Sequence, residues 1–362
     1  MSRLIIIIYP PANIRRKSKH INIECSCLPM APNNRSVYLS FLRKRGSIVV
    51  IGVIVFYFLF VLYYDSHSLV VSLRDIRIDS LIIILLCVSF SIFIRSIRQF
   101  YLLVTLGIRL PFDQNLLLYL AGLSMSMTPG SLGQTIKSYF LYRNYGEPVA
   151  RTVPLVLVER YLDILAIFVF VAISVMFIHN EFLSISVLII GLILLALPLL
   201  LRFHGAISCK IKEIFPESKL FYRFDRFQNK LADFDKSLMS LLSAATFVYG
   251  WPISMCAWFF EALAIFFSFK ALNIQLDFEL TTAFGFSSLM FGAISLVPGG
   301  AGVTELTFLQ LLTSYGIPIA QAAAAVLLVR ISSLWYSTLI GVVAARLILR
   351  QKKTTNPSAD RF

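Results

Sequence analysis

The chain has 362 residues, of which 58% are hydrophobic and only 14% carry a charge. Soluble domains contain about 45–50% apolar and about 25% charged residues, so this composition excludes a soluble globular enzyme. The formal net charge is +14, so the positions of the basic residues along the chain indicate which segments face the cytoplasm. At about 20 residues for each crossing helix, the apolar residues suffice for about six to eight membrane spans. The sequence therefore predicts an all-α polytopic membrane protein.

Residues 1–46 form a basic segment before the first apolar stretch, with nine Lys and Arg and a single acid, Glu24. The positive-inside rule predicts that this tail is cytoplasmic. Since no folded domain accompanies the charge, nucleic-acid binding is not expected. Residues 1–29 differ from the rest, which leaves Met30 as an alternative start. The five cysteines and four histidines are scattered, so neither a disulfide framework nor a metal or cofactor site is expected.

The transmembrane domain is predicted over 47–350, with a cytoplasmic loop at 204–242 and a cytoplasmic tail at 351–362. About six full spans are expected, at 47–64, 80–94, 152–178, 182–201, 247–269 and 319–348. Arg95 and Arg98 follow the second span at its cytoplasmic end. There they either bind a lipid headgroup or only extend to the membrane interface.

Four shorter apolar stretches, 113–127, 131–145, 280–297 and 301–315, meet in pairs at Pro-Gly motifs. A helix of about 15 residues rises about 22 Å, which is too short for a hydrocarbon core of about 30 Å. Each pair is therefore predicted to be a re-entrant helical hairpin with its tip at membrane depth, because irregular backbone there must be buried in protein or line a cavity. The alternative is a pair of full spans that tilt or thin the bilayer.

The two halves of the chain match each other at three motifs, which recur in the same order. They are Ile-x-Leu-x-Phe at 108–112 and 274–278, Pro-Gly-x-x-Gly at 129–133 and 298–302, and Tyr-Gly-x-Pro-x-Ala at 145–150 and 315–320. The spacing of the first motif places Arg95 opposite Glu261, and that of the third aligns Arg160 with Arg330. These matches indicate an internal repeat, with copies at about 80–178 and 247–348.

Charge distinguishes the orientation of the two copies. The first copy carries Arg109, Lys137, Arg143 and Arg151, whereas residues 271–329 contain neither Lys nor Arg. The positive-inside rule therefore predicts that the first hairpin enters from the cytoplasm and the second from outside. An inverted-topology repeat with broken helices near the midplane is typical of alternating-access transporters.

Arg160 and Arg330 form the predicted centre of the site, because an ionisable residue costs at least about 2.5–3.5 kcal/mol at the centre of a membrane helix. Each follows a Pro-Gly motif after which a short helix is predicted to begin. The N-terminus of that helix and the guanidinium together suit a phosphate group. Glycines let the backbone approach a ligand closely. The predicted headgroup-binding set is completed by Arg95, Arg98, Gly130, Gly133, Gly299, Gly300 and Gly302.

Acidic residues near these arginines allow two interpretations. They could orient the arginines or carry coupling protons; the candidates are Glu159, Asp163, Glu261 and Glu305. Alternatively, each arginine forms only a structural ion pair, with Glu159 or Asp163 for Arg160 and with Glu305 or Glu261 for Arg330. The Pro-Gly motifs could likewise be simple helix breaks. No Ser-His-Asp set, P-loop or metal cluster is evident, so catalytic residues are not expected.

The motifs Pro129-Gly130-Ser131-Leu132-Gly133, Val158-Glu159-Arg160-Tyr161-Leu162-Asp163 and Pro298-Gly299-Gly300-Ala301-Gly302-Val303-Thr304-Glu305 resemble the transmembrane region of lysylphosphatidylglycerol synthase, the flippase-like domain family. Arg95-x-x-Arg98 also fits, and the resemblance covers about 45–350. In the bifunctional members this region moves aminoacylated phosphatidylglycerol between leaflets, while a separate soluble domain attaches the amino acid. The sequence shows no counterpart of that domain, so lysyltransferase activity is not expected. The second copy departs from the motif, with Val329 where the first has Glu159.

Taken with the repeat, the resemblance implies a multi-pass inner-membrane protein that translocates an anionic lipid, either a phosphatidylglycerol derivative or a polyprenyl-phosphate-linked lipid. Both termini would be cytoplasmic, and the protein could form homo-oligomers. One alternative is a non-catalytic accessory subunit of a glycosyltransferase or lipid-modifying enzyme. A small-solute or ion transporter is the other.

Overall fold

The computed structural model describes residues 76–128, 133–178, 191–196 and 233–350, all within one compact unit. Regular structure in these ranges is helical, and no strand occurs in them. Several predicted features lie outside the described residues: the tail 1–46, the span 47–64, Pro129 and Gly130 of the first tip, and the tail 351–362. Of the predicted span 182–201 only 191–196 is described, and of the loop 204–242 only 233–242; 191–196 and 233–241 are helical.

The first half contains four helices, α1 (Ile78–Thr105), α2 (Phe112–Leu123), α3 (Ile136–Tyr145) and α4 (Val149–Ile178). Gly146 ends α3 in the left-handed conformation, with φ 75°, and donates its N–H to the Tyr142 carbonyl at 3.1 Å. Glycine adopts this conformation without the cost that a Cβ atom would bring. The short helix α3 is thereby separated from the long helix α4.

The second half follows the same order of elements. It comprises α5 (Ala244–Ala271), α6 (Phe278–Ile294), a 3₁₀ turn (Pro298–Gly300), α7 (Val303–Ser314), α8 (Ile319–Arg330), a π-helical turn (Ile331–Trp335) and α9 (Tyr336–Arg350). Both ends of α5 correspond to those of α1 at the spacing of the two Ile-x-Leu-x-Phe motifs, and α8 begins after α4 at the spacing that separates Arg330 from Arg160. Helix bounds therefore follow the register in which the sequence matches itself.

Three helical stretches of the described chain are long and apolar enough to cross a membrane: Ile78–Thr105, Ala244–Ala271 and Ile319–Arg350. The predicted end of the second span at residue 94 is wrong, since α1 continues to Thr105. Arg95 and Arg98 therefore lie inside a helix, and Arg98 is fully buried. The helix can continue through these charges because both are paired with acids inside the protein.

The break between α6 and α7 is built from residues with positive φ. Gly299 and Gly300 have φ of 64° and 67°, and Leu296 just before them has φ of 54°. Leucine rarely adopts such a φ, so the surrounding packing must impose this conformation. The tip turns sharply at these residues and does not continue as a helix.

The two broken-helix regions meet in the interior. A carbon added at Gly299 would lie 3.7 Å from the Cα of Met127, which is buried at the end of the described first turn. Helix α9 approaches the same region, because a carbon added at Gly341 would lie 2.3 Å from the backbone nitrogen of Ser124. Helices α1 and α5 pack along each other beside these breaks.

Candidate functional site

Asp163 of α4 is the centre of a buried polar cluster. Its Oδ1 accepts hydrogen bonds from Arg98 Nη1 at 2.6 Å and from Trp258 Nε1 at 3.1 Å, while Oδ2 lies 3.5 Å from Arg160 Nη1. Arg98 Nη1 also donates to Ser254 Oγ at 2.6 Å. One carboxylate thus joins α1, α4 and α5.

Arg95 lies one helical turn from Arg98 and extends the cluster along α1 and α5. Its guanidinium carbon is 4.2 Å from the centre of a Trp258 ring, and its Nη2 is 3.5 Å from Glu261 Oε2. A guanidinium over an indole face is attracted by the negative face of the ring. The two residues that the repeat aligns, Arg95 and Glu261, are therefore ion-pair partners.

Lys137 brings the first hairpin into the same cluster. Its Nζ donates to Glu159 Oε2 at 2.5 Å and to Gln99 Oε1 at 2.9 Å, and it lies 5.0 Å from the centre of the Tyr119 ring. Lys137 reaches these partners by passing Gly122 of α2, where an added carbon would lie 2.6 Å from the lysine Cγ. The fully buried ammonium thus links α3 with α1 and α4.

We call the set Arg95, Arg98, Lys137, Glu159, Arg160, Asp163 and Glu261 the Asp163 cluster. It holds four basic and three acidic side chains, so it carries one positive charge in excess. Several buried donors have no hydrogen-bond partner among the described residues, including Nε of Arg95, Arg98 and Arg160 and Nη2 of Arg98. Excess positive charge with spare guanidinium donors is the arrangement that an oxyanion binds.

Arg160 and Arg330 make parallel contacts in the two halves. Arg160 Nη2 donates to Gln134 Oε1 at 2.7 Å, and Arg330 Nε donates to Glu305 Oε1 at 2.5 Å, so Arg160 reaches a residue just before α3 and Arg330 reaches a residue in the first turn of α7. Besides Gln134, Arg160 has a more distant ionic partner in Asp163 at 3.5 Å, whereas Arg330 lies 2.5 Å from the Glu305 carboxylate. Arg160 is also more accessible, with 25% of its side chain exposed against 4% for Arg330.

The second tip is closed on itself in this structure. Arg330 Nη2 donates to the Gly299 carbonyl at 2.5 Å, and Glu305 Oε2 accepts the Gly302 N–H at 2.7 Å. Glu305 thereby caps α7 while it neutralises Arg330. Gly300 is buried and packs against Thr304. A carbon added at Gly300 would lie only 2.5 Å from Thr304 Oγ1.

These contacts show which of the alternative ion pairs form in the structure. Arg160 pairs with Asp163, while Glu159 pairs with Lys137. Arg330 pairs with Glu305. Gly133 donates its N–H to Thr128 Oγ1 at 2.6 Å, and Gly130 lies outside the described residues. The predicted headgroup role of these residues stays a prediction.

Sequence reasoning missed Lys137 as a cluster member and four side chains that hydrogen-bond to the cluster: Gln99, Gln134, Ser254 and Trp258. Lys137 carries a signal, since it is the sole lysine in a hairpin predicted to enter the membrane, where charged residues are rare. Ser254 and Trp258 lie at i and i+4 on α5 and share a helix face with Glu261. The other two are ordinary amide residues with no pattern of their own.

The helical fold, the three membrane-length apolar stretches and the buried charges define an integral α-helical membrane protein. The chain belongs to the family described as the lysylphosphatidylglycerol synthase TM region, whose model matches residues 47–341. A UPF0104 membrane protein of Pyrococcus horikoshii is 24% identical over 86% of this chain and 98% of its own length. Another, from Methanocaldococcus jannaschii, is 25% identical over 62% of this chain and 94% of its own length.

Proposed function

We propose that this protein translocates an anionic lipid between the leaflets of a cell inner membrane, as a transporter and not an enzyme. The observation that carries the proposal is the Asp163 cluster, because it combines excess positive charge with unpartnered guanidinium nitrogens in a membrane domain. A lipid phosphate would accept hydrogen bonds from these nitrogens and balance the excess positive charge. The family name supports a lipid substrate, since it describes the membrane region of a synthase whose product is a phospholipid.

The arrangement of helices supports an inverted repeat. Helices α2, α3, α6 and α7 have 12, 10, 17 and 12 residues, which correspond to about 15–26 Å and fall short of a core of about 30 Å. Such short arms, broken where the two halves meet, suit re-entrant hairpins. Broken helices of two repeats that meet near the midplane are the usual site in alternating-access transporters.

Basic residues support cytoplasmic placement of the base of the first hairpin and of the C-terminus. Arg143 at the end of α3 donates to the Leu349 carbonyl at the end of α9, at 3.1 Å. These two helix ends carry Arg143, Arg346 and Arg350 together on one side of the molecule. The linker before α6 carries Asp277 and no basic residue after Lys270. We therefore place the second hairpin on the opposite, outer side.

In this state Arg330 is occupied by Glu305 and Gly299. We assign phosphate binding in the present state to Arg95, Arg98 and Arg160. Arg330 takes the role equivalent to that of Arg160 when the protein faces the other leaflet. The exchange of these two states moves the headgroup across while the hydrocarbon chains remain in the membrane.

A reconstitution assay tests the proposal. Purified protein is inserted into liposomes that contain phosphatidylglycerol with a fluorescent headgroup-proximal label, and an impermeant quencher reports the protected inner-leaflet fraction. We expect protein-dependent loss of protection, slowed about tenfold or more in Arg160→Gln because hydrogen bonds to a charged group are lost. Arg77→Gln is the control, since the side chain of Arg77 is 81% exposed and pairs with Asp79 at the surface.

The outcome separates the candidate functions. Movement that Arg77→Gln preserves and Arg160→Gln slows supports lipid translocation through the cluster. No movement of phosphatidylglycerol or of a labelled polyprenyl phosphate, with the folded state verified, rejects it and favours the accessory-subunit alternative.

A further inference from the structure

An apolar cavity lies beside the Asp163 cluster. Its volume is about 540 Å³, which is within the range of about 300–1,000 Å³ typical of ligand sites. It is bounded by α4, by the helical segment 191–196, by the first two turns of α5 and by Leu242, which lies two residues before α5 begins. Representative wall residues are Tyr161, Leu165, Phe168, Leu195, Phe247 and Trp251.

The cavity and the cluster use the same two helices. On α5, Phe247 and Trp251 line the cavity, and Ser254 and Trp258 belong to the polar network. These four residues follow the i, i+4, i+7 and i+11 spacing, so they lie on one helix face. Trp251 and Ser254 are about one helical turn, or about 5 Å, apart along the axis. The apolar wall therefore adjoins the charged network.

Trp251 contributes an unsatisfied donor to this wall. Its Nε1 is buried and has no hydrogen-bond partner among the described residues. The other polar group of the wall is satisfied, because Tyr161 donates its hydroxyl hydrogen to the Leu194 carbonyl at 2.8 Å. A buried indole N–H without an acceptor is costly, and a ligand oxygen would satisfy it.

We propose that this cavity binds a hydrocarbon chain of the anionic lipid whose phosphate binds to the Asp163 cluster. The inference rests on the proposed function and extends it by assigning a site to the apolar part of the substrate. The linker oxygens between phosphate and chain then lie near Trp251. A small inorganic anion would leave the cavity empty, and an uncharged lipid would leave the excess charge of the cluster unbalanced.

Tryptophan quenching tests this assignment. Full-length protein in phosphatidylcholine nanodiscs is titrated with phosphatidylglycerol that carries a dibrominated stearoyl chain, and in parallel with phosphatidylcholine that carries the same chain. Bromine quenches a tryptophan that it contacts, and the protein has only three. We expect the anionic lipid to reach half of its maximal quenching at about a tenfold lower mole fraction than the zwitterionic lipid.

Three variants locate the effect. Trp251→Phe should abolish the difference between the two lipids, because the reporting ring is removed. Val169→Phe adds a ring to the cavity wall and should also abolish it. Val248→Phe is the matched control, since Val248 is 63% exposed on α5 and does not line the cavity; it should preserve the difference.

Two results would overturn the chain site: equal half-saturation by the two lipids in the unaltered protein, or a difference that survives Val169→Phe. If either occurs while lipid movement still depends on Arg160, the proposed function stands and this inference fails. If instead the difference is present and lost in Val169→Phe, but no lipid moves, the chain site stands and translocation fails.

Discussion

At the scale of single residues, Asp163 is the shared counter-ion of two arginines and the acceptor for an indole. Its side chain is 4% exposed, and that of Arg98 is not exposed at all. Removing one member of a buried pair leaves an uncompensated charge, which is far more costly than the net value of the pair. The cluster therefore depends on this one carboxylate.

We expect Asp163→Asn to lower the free energy of unfolding by about 3–5 kcal/mol, because Arg98 loses its buried counter-ion. Chemical denaturation in mixed micelles measures the change. Asp79→Asn is the control, since Asp79 pairs with Arg77 on the exposed surface and should cost less than about 1 kcal/mol. Equal losses in the two variants would contradict the role assigned to Asp163.

Lys137 and Glu159 form another buried pair, and we predict that their mutations are strongly non-additive. Lys137→Met should destabilise the protein by leaving Glu159 unpaired. Adding Glu159→Leu should recover most of that loss, because an apolar replacement of both partners is often neutral. The four free energies of unfolding form a double-mutant cycle, and we expect a coupling of about 2 kcal/mol. A coupling near zero would show that the pair is not an energetic unit.

At the scale of helices, glycine sets how closely α9 approaches the turn after α2. A carbon added at Gly341 would meet the backbone nitrogen of Ser124 and the carbonyl carbon of Leu123, neither of which can move as a side-chain end can. In membrane proteins, such small residues allow helix backbones to pack closely. This contact holds the first broken region against α9.

Gly341→Ala should therefore destabilise the protein, although alanine favours a helix over glycine by about 1 kcal/mol. Gly250→Ala in α5 is the matched control. The added carbon there lies 3.2 Å from the flexible end of Leu162, which can move. The apparent Tm in detergent compares the two, and we expect a clear fall for Gly341→Ala with little change for Gly250→Ala. A fall of the same size in both would mean that the α9 contact has no special role.

At the scale of the whole molecule, the proposed inverted repeat predicts opposite labelling of equivalent positions. Arg109 and Gln275 are both exposed and occupy the same place in the Ile-x-Leu-x-Phe motifs that precede α2 and α6. In a variant without the five native cysteines, an impermeant maleimide should label Arg109→Cys from the cytoplasmic side and Gln275→Cys from outside. Labelling of both from the same side would reject the inverted arrangement.

The sequence predicted much of the fold because the relevant signals are local or repetitive. Hydrophobic length located α1, α4, α5 and the continuous stretch 319–350, and the Pro298-Gly299 motif marked the break between α6 and α7. The end of α1 was misplaced, since a charge next to an apolar run also marks a membrane interface. Only tertiary pairing of Arg95 and Arg98 distinguishes the two cases.

The candidate site was less predictable for the same reason. Arg160, Asp163 and Glu261 stand out because charges are rare in apolar helices. Gln134 and Ser254 carry no such signal, and their roles follow from contacts across 26 and 156 residues of chain. The choice among alternative ion pairs also required the packing of α1, α4 and α5.

The pairing of Arg98 with Asp163 has a consequence for biosynthesis. The two residues are 65 positions apart. At about 5–20 residues per second, the ribosome adds the aspartate about 3–13 s after the arginine. During that interval α1 carries a guanidinium that lipid would solvate poorly. Until α4 is inserted, α1 therefore lacks the carboxylate that neutralises Arg98 in the folded protein.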